Sequence, residues 1–381
     1  GGAKDLLSSY DLLGWDPRAS GIDERFGAPM APASVSKVLE GMLSVMSAGA
    51  QAQFRMATFC HQSQDDSSRN TTSAIVEVAR CGLEGKMIKP GLGLVNSVSG
   101  GNTIVPTPQP TLKPLEVGSV LDVVASTGYE MLGQELPQSS LLALAKANLN
   151  LSRHQIKNME ALPNGAQLKL LSECGYLKNM DLLKGATDVD PRRVTNFQQL
   201  YAINANSDPR ALDVRAATVV LNSLTKVSGP GCITLGGFDY HDGTQTTGDT
   251  KDREMGVQIG RAVEVAYRMK TPLMFQLVTD GGVSAAKGTR RWQSDSGDKS
   301  MTVLGYFNPN AVPKLVQTQV GFYTDGQGAD RDTIIGRNTS IVAYAAFANY
   351  LNINGKIADF GKYIPNSDFP QDKLNDVLVF A

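Results

Sequence analysis

The stretch Gly236-Gly237-Phe238-Asp239-Tyr240-His241 decides how this sequence is interpreted. It follows a short run of strand-forming residues, Cys232-Ile233-Thr234-Leu235, and a second apolar run over residues 273–278 ends at Thr279-Asp280-Gly281-Gly282. The segment between them, residues 252–269, has the apolar spacing of an amphipathic helix. This order predicts a strand, a loop, a helix and a second strand. In open α/β sheets, binding sites form where strands end in such loops.

Four residues at these predicted strand ends are candidate metal ligands. Asp239 and His241 are two positions apart and offer oxygen and nitrogen donors, which zinc accepts. Asp280 follows the next apolar run, and His61 opens a polar loop after an earlier one. A carboxylate that fixes the tautomer of a histidine is the other interpretation of the Asp239–His241 pair. The residues alone leave a metal site and a hydrogen-bonded structural pair both open.

The composition excludes some classes of protein. The chain has 381 residues, 41% of them hydrophobic, which supports a sizeable core. With 36 basic and 37 acidic residues, its net charge is −1, so it lacks the excess of positive charge that is typical of nucleic-acid-binding proteins. No apolar run is long enough to form a membrane-spanning segment. The four cysteines form no Cys-x-x-Cys pair, so a zinc ribbon is not expected, while two disulfides remain open.

Periodicity and turn residues predict an alternation of helices and strands. Strands are expected over residues 54–60, 91–98, 231–235 and 273–279. Helices are expected over residues 35–48, 73–80, 139–183, 196–226 and 340–351. Ser34 is expected to cap the first of these helices, and Ser207-Asp208-Pro209 to interrupt the fourth. Such an order favours an α/β sandwich around a mostly parallel sheet. The first, third and fourth of these strands lack clean alternation, as expected when helices cover both faces. They are therefore predicted to be neighbours in one largely parallel sheet.

Several blocks together resemble a known family. They are Met56-Ala57-Thr58-Phe59-Cys60-His61, the Gly-Gly-Phe-Asp-Tyr-His stretch, Thr279-Asp280-Gly281-Gly282, Ser294-Asp295-Ser296-Gly297, Val303-Leu304-Gly305 and Tyr344-Ala345-Ala346-Phe347-Ala348-Asn349-Tyr350-Leu351. Their order resembles the secreted bacterial family called domain of unknown function 1501, which looks like a branch of the alkaline phosphatase and sulfatase superfamily. The resemblance is weakest over residues 103–193. It implies a three-layer α/β sandwich, one alkaline-phosphatase-like domain over residues 1–381, and a helical insertion over residues 139–185.

The resemblance also implies a metal site, and this chain departs from it. Asp239 and His241 match the family's Asp-x-His metal pair, and Asp280 stands where the superfamily has an acidic residue. The family's Asp-His-Gly block here is Asp295-Ser296-Gly297, so a serine replaces its histidine. The family's first metal-binding aspartate is expected upstream of residue 1. A two-metal phosphatase site normally draws on several histidines and carboxylates, so the site is expected to be incomplete.

Two functional hypotheses follow. The first is a catalytically degenerate, exported protein, periplasmic or extracellular and bacterial, that binds a protein partner or its own copies and needs no cofactor. The alternative is a metal-dependent hydrolase of phosphate or sulfate esters, holding a divalent metal such as zinc. The serine at position 296 favours the first hypothesis. The sequence leaves enzymatic activity open.

Overall fold

A computed structural model describes residues 17–63, 73–81, 91–94, 114–127, 137–157, 163–184, 188–238, 245–279, 281–285, 292–324, 328–336 and 338–381. The contacts within the chain group it into two compact units. Unit 1 comprises Gly1–Cys81, Asn96–Gln109 and Thr234–Ala381, and unit 2 comprises Gly82–Val95 and Pro110–Ile233. The expectation of a single domain over residues 1–381 stays a prediction.

The described residues form both helices and strands, so the fold is mixed α/β. Their helices, in chain order, are α1 (Pro17–Ser20), α2 (Lys37–Leu43), α3 (Ala48–Ala52), α4 (Ile75–Arg80), α5 (Val120–Thr127), α6 (Gln138–Lys157), α7 (Gly165–Lys184), α8 (Thr195–Tyr201), α9 (Leu212–Leu224), α10 (Gln245–Met269), α11 (Thr339–Ile353) and α12 (Phe360–Tyr363). Short 3-10 helices cover Pro191–Arg193, Ile357–Asp359 and Gln371–Val377. The strands are β1 (Phe54–His61), β2 (Leu92–Leu94), β3 (Leu115–Val117), β4 (Gly231–Cys232), β5 (Leu273–Leu277), β6 (Gly282–Ala285), β7 (Trp292–Ser296), β8 (Ser300–Phe307) and β9 (Gln319–Val320).

Unit 1 is built on a mixed four-stranded sheet with the order β5-β8-β1-β9. Strand β8 runs antiparallel to both β5 and β1, and β9 runs parallel to β1. The long β1–β8 ladder pairs Phe54 with Phe307 at one end and His61 with Ser300 at the other. Because β5 and β1 are both antiparallel to β8, their carboxyl ends lie at the same edge of this sheet.

The two faces of this sheet pack against different helices, because successive side chains of a strand point to opposite faces. On one face, Tyr267 of α10 packs edge-on against Phe307, with ring centroids 6.2 Å apart. Phe54 stacks on Phe275 on that face, at 5.9 Å. On the other face, Phe59 of β1 belongs to a buried cluster that α11 and the C-terminal residues complete.

Helices α2 and α10 pack with their backbones in direct contact. A Cβ atom at Gly256 of α10 would lie 2.1 Å from the carbonyl oxygen of Val38. A Cβ atom at Gly41 of α2 would lie 2.3 Å from the carbonyl oxygen of Arg253. Real Cβ atoms do not approach backbone atoms so closely, so both positions require glycine. This close approach fixes α10, which leads directly into β5.

Unit 2 holds an all-parallel sheet with the order β3-β2-β4. Helix α9 packs on this sheet, and its buried Asn222 donates from Nδ2 to the carbonyl oxygen of Val189 at 3.0 Å. Helices α6 and α7 pack on each other, with the Ser152 hydroxyl donating to the Tyr176 hydroxyl at 2.8 Å. They confirm the helical character predicted for residues 139–157 and 165–183, and residues 158–162 lie outside the described residues. That residues 139–185 are an insertion within one domain stays a prediction.

The predicted strand neighbours are wrong. Strand β8, which local sequence pattern did not separate from its surroundings, lies between β1 and β5. The expected strand over residues 231–235 is reduced to Gly231–Cys232, which pairs with β2 in unit 2. Gly231 fits there because its missing side chain admits Val219 of α9; a Cβ atom would lie 2.4 Å from Cγ1 of that valine. An apolar run identifies a strand, but its partner depends on such distant contacts.

Several other predicted elements are confirmed with shifted ends. The helix expected over residues 35–48 is wrong in length, because α2 ends at Leu43 and α3 begins at Ala48. Of the strand expected over residues 91–98, β2 forms Leu92–Leu94, and residues 95–98 lie outside the described residues. Ser36, not Ser34, caps α2, and its hydroxyl accepts from the Leu39 amide at 3.2 Å. The helix expected over residues 196–226 is interrupted as predicted, because Ala202 ends α8 in a left-handed conformation with φ 53°. Both ends of α11 lie within two residues of the prediction.

Candidate functional site

The edge of the unit 1 sheet where β1 and β5 end gathers polar side chains from four strands. His61 is the last residue of β1, Thr279 follows β5, and Tyr323 follows β9. Ser300 and Thr302 come from the start of β8, which reaches the same edge because it runs in the opposite direction. We call these five residues the strand-end cluster.

His61 is the centre of the strand-end cluster and is fully buried. Its Nδ1 atom lies 2.6 Å from the carbonyl oxygen of Gln62, and its Nε2 atom lies 2.9 Å from the hydroxyl oxygen of Thr302. A carbonyl oxygen only accepts hydrogen bonds, so Nδ1 carries the proton and Nε2 accepts from the Thr302 hydroxyl. Burial lowers the pKa of His61 to about 4. The ring is therefore neutral at physiological pH.

The remaining members of the cluster satisfy one another. The hydroxyl oxygens of Thr279 and Ser300 lie 2.7 Å apart, and the Tyr323 hydroxyl donates to the Ser300 carbonyl oxygen. Tyr323 also contacts the thiol of Cys60. Burial raises the pKa of Tyr323 well above its usual value and the pKa of Cys60 to about 12. Both groups therefore keep their protons at neutral pH.

Lys299 brings a cationic side chain next to the cluster, immediately before Ser300. Burial lowers the pKa of Lys299, and the Asp298 carboxylate opposes this shift. A Cβ atom at Gly282 would lie 2.6 Å from the Lys299 carbonyl oxygen and 2.8 Å from its Cγ atom. The absence of a side chain at Gly282 thus lets the segment after Asp280 lie against Lys299.

Of the predicted site residues, the structure describes His61. Asp239, His241 and Asp280 lie outside the described residues, so their assignment as metal ligands stays a prediction. The chain approaches the first two through Gly237, whose φ of +83° is a left-handed conformation that favours glycine. Thr279, the neighbour of Asp280, lies at the same sheet edge as His61. Across the described ranges, no group of three or more His, Cys, Asp or Glu side chains is placed to hold a metal ion.

Sequence reasoning missed four residues of this edge: Ser300, Thr302, Tyr323 and Lys299. The alternation of Ser300, Thr302 and Leu304 on one face of a strand is a local signal for the first two. Lys299 could have been noted as the residue that precedes this strand. Tyr323 has no local signal, because its position depends on the pairing of β9 with β1.

Comparisons with models of known protein families, with curated proteins and with solved structures found no match for this chain. In the part of the chain that the structure describes, no helix has both the length and the apolar character needed to cross a membrane.

Proposed function

We propose that this chain is a catalytically degenerate, exported protein of the alkaline-phosphatase-like type, with a binding or structural role in a surface or secreted assembly. Its fold would be a three-layer sandwich, of which the sheet of unit 1 with α10 and α11 forms the central part. One observation carries the proposal: both ring nitrogens of His61 are engaged by protein groups, Gln62 and Thr302. The histidine at the strand ends thus stabilises the fold.

The protonation states of the cluster support this role. A histidine needs a free lone pair to bind a metal, and here the Nε2 lone pair accepts the Thr302 hydroxyl. With a pKa of about 4, His61 is too weak a base to act efficiently near neutral pH. Thiolates are the nucleophilic form of cysteine, and the pKa of about 12 keeps Cys60 protonated.

The alternative function is a metal-dependent hydrolase of phosphate or sulfate esters. Two features favour it: strand ends meet at one edge, where α/β proteins place their sites, and Lys299 adds a positive charge beside them. Positive charge stabilises the negative charge that gathers during transfer of such esters. In this case Thr302 would rotate away, and His61 would join Asp239, His241 and Asp280 around a divalent ion.

The two proposals differ in activity and in metal content. The purified protein is assayed on an aryl phosphate and an aryl sulfate with added zinc, manganese or magnesium, and its metal content is measured by elemental analysis. We expect no turnover above the metal-only background and much less than one bound ion per chain. Asp239→Ala and His241→Ala remove the predicted ligands, and His154→Ala on α6 is the matched control for loss of a histidine.

Robust turnover that disappears in Asp239→Ala and persists in His154→Ala would support the hydrolase and overturn the degenerate assignment. Stoichiometric metal that His241→Ala removes would do the same. Export is tested separately, by fractionating the source cells and detecting the protein with an antibody. Recovery of the protein in the cytoplasmic fraction alone would contradict the proposed location.

A further inference from the structure

An open cavity in unit 1 lies between the start of α2 and the first turns of α10. Its volume is about 420 Å³, and six side chains line it: Lys37, Thr246, Asp249, Thr250, Arg253 and Glu254. Small-molecule sites typically have volumes of about 300–1000 Å³ and are mostly apolar. This cavity has such a volume, but all six side chains carry polar or charged groups. We call it the α2–α10 cavity and expect its ligand to be polar as well.

The walls of the α2–α10 cavity are held close to a contact between helix backbones. Thr246, Thr250 and Arg253 recur every three or four residues, so they lie on one face of α10. Three residues beyond Arg253, the backbones of α2 and α10 touch at Gly256. Lys37 is the first residue of α2 and lines the cavity from the opposite side. The backbone contact therefore fixes the distance between the charged side chains of the two helices.

Glu40 of α2 holds the two cationic side chains of the cavity in place. Its Oε2 atom accepts from the Lys37 ammonium group, and its Oε1 atom accepts from Nε of Arg253 at 3.0 Å. These hydrogen bonds lower the pKa of Glu40, so its carboxylate stays ionised at neutral pH. Two positive charges share one negative charge, and this part of the cavity keeps an excess of one positive charge.

The unused hydrogen-bonding groups of Lys37 and Arg253 are all donors. Arg253 bonds Glu40 through Nε, so both terminal nitrogens of its guanidinium have no protein partner among the described contacts. A carboxylate accepts two parallel hydrogen bonds from such a group. An ammonium group has three N–H donors, and Glu40 accepts from Lys37 only once. A carboxylate therefore fits between Lys37 and Arg253.

A carboxylate of the protein stands one helical turn away from this pair of cations. Asp249 precedes Arg253 by four residues on α10, which is about 6 Å along the helix axis. Two residues of an extended peptide span at most about 7 Å. The ammonium and carboxylate groups of a dipeptide are thus separated by about the distance between Asp249 and Arg253 along the helix.

We propose that the α2–α10 cavity binds a dipeptide, with its carboxylate between Lys37 and Arg253 and its ammonium group at Asp249. The Arg253 side chain is 52% exposed, so the binding is weak and decreases with salt. This inference goes beyond the proposed function and does not depend on it, because the cavity contains no residue of the strand-end cluster.

Ligand-observed saturation-transfer NMR on the whole chain tests the proposal, with alanyl-alanine as the probe. Its Kd is compared with those of the N-acetylated dipeptide, the C-terminal amide and free alanine. We expect each change to raise the Kd at least about fivefold, because each removes a charged contact or brings the two charges too close together to reach both ends. This comparison uses the unaltered protein and does not depend on the folding of any variant.

Two variants assign the ends of the dipeptide. Arg253→Gln should raise the Kd of alanyl-alanine at least about fivefold but leave that of the C-terminal amide unchanged, since the amide lacks the carboxylate that Arg253 binds. Asp249→Asn should likewise remove the preference for the free ammonium group. Arg153→Gln is the matched control, because Arg153 is also an exposed arginine in an ion pair, at 47% exposure. Circular dichroism confirms that each variant keeps its helices.

Three results would overturn the proposal. The first is no saturation transfer to alanyl-alanine at concentrations up to about 10 mM. The second is an equal Kd for the dipeptide and its C-terminal amide. The third is an equal loss of binding in Arg253→Gln and Arg153→Gln, which would indicate general charge attraction and not binding in the cavity.

Discussion

The Nε2 atom of His61 accepts a hydrogen bond of 2.9 Å from the hydroxyl of Thr302, and both side chains are fully buried. This bond ties the carboxyl end of β1 to the start of β8 on one face of the sheet. In the neutral ring, Nδ1 donates to the Gln62 carbonyl oxygen and Nε2 accepts from the threonine hydroxyl. Protonation of His61 is opposed by its burial.

Acid should destabilise the folded protein through His61. Its pKa is about 4 when folded and 6.5 in the unfolded reference, so between these values the unfolded chain binds the extra proton. Stability is thus fully present above pH 6.5 and decreases as the pH falls towards 4, by about 3 kcal/mol from this group. Denaturant unfolding at several pH values measures this dependence. His61→Gln should make the free energy of unfolding less dependent on pH, and His154→Gln should leave that dependence unchanged. If the free energy of unfolding changes with pH equally in the wild type and both variants, His61 is not the source of the acid destabilisation.

Replacing Gly256 with alanine should weaken the packing of α2 on α10. In an exposed helix interior this change stabilises by about 1 kcal/mol, because alanine is the better helix former. Here the new Cβ atom would lie 2.1 Å from the Val38 carbonyl oxygen, so the helices must separate. We expect a net loss of about 1–3 kcal/mol, the usual cost of overpacking. Gly236→Ala is the control, since open space surrounds that position.

Thermal and denaturant unfolding of both glycine variants measure the effect. A Gly256→Ala protein as stable as the wild type would show that α2 and α10 tolerate a wider separation. Their close contact would then contribute nothing measurable to the free energy of unfolding.

Local pattern predicted most of the elements but not their assembly. The apolar run of β1 and the spacing of α10 each identify an element from a few consecutive residues. By contrast, the position of β8 between β1 and β5 depends on pairings across more than 200 residues, such as that of His61 with Ser300. The same limit applies to the candidate site. His61 was identifiable as a residue at a strand end, whereas the pairing of His61 with Thr302 depends on the register of β8 against β1.

Asn349 of α11 should contribute strongly to holding the C-terminal residues. Its Nδ2 atom donates to the carbonyl oxygens of Ala345 and Val377, at 2.9 and 2.8 Å, and its Oδ1 atom accepts from the Val379 amide at 2.8 Å. Asn349→Ala leaves the Val377 and Val379 groups buried without this partner, which costs about 1–3 kcal/mol for each buried group. Hydrogen exchange should show faster exchange of the Val379 amide.

Asn354→Ala is the control for this variant, because its exposed side chain donates only to the Tyr350 carbonyl oxygen among the contacts described. It should change stability by less than about 0.5 kcal/mol. If Asn349→Ala and Asn354→Ala lower the free energy of unfolding equally, the buried hydrogen bonds of Asn349 do not hold the C-terminal residues as inferred.

The cysteines should react with alkylating reagents in the order of their exposure and pKa. Cys174 is exposed and should react first, whereas burial raises the pKa of Cys81 to about 11 and that of Cys60 to about 12. Only the thiolate reacts, so at pH 8 a group with a pKa of about 12 is ionised in about one molecule in ten thousand. Iodoacetamide labelling followed by mass spectrometry should find Cys174 modified within minutes and Cys60 modified only after unfolding in urea. Labelling of Cys60 in the native protein at a rate near that of Cys174 would mean that the strand-end cluster opens to solvent, and the case for a catalytically silent edge would then fail.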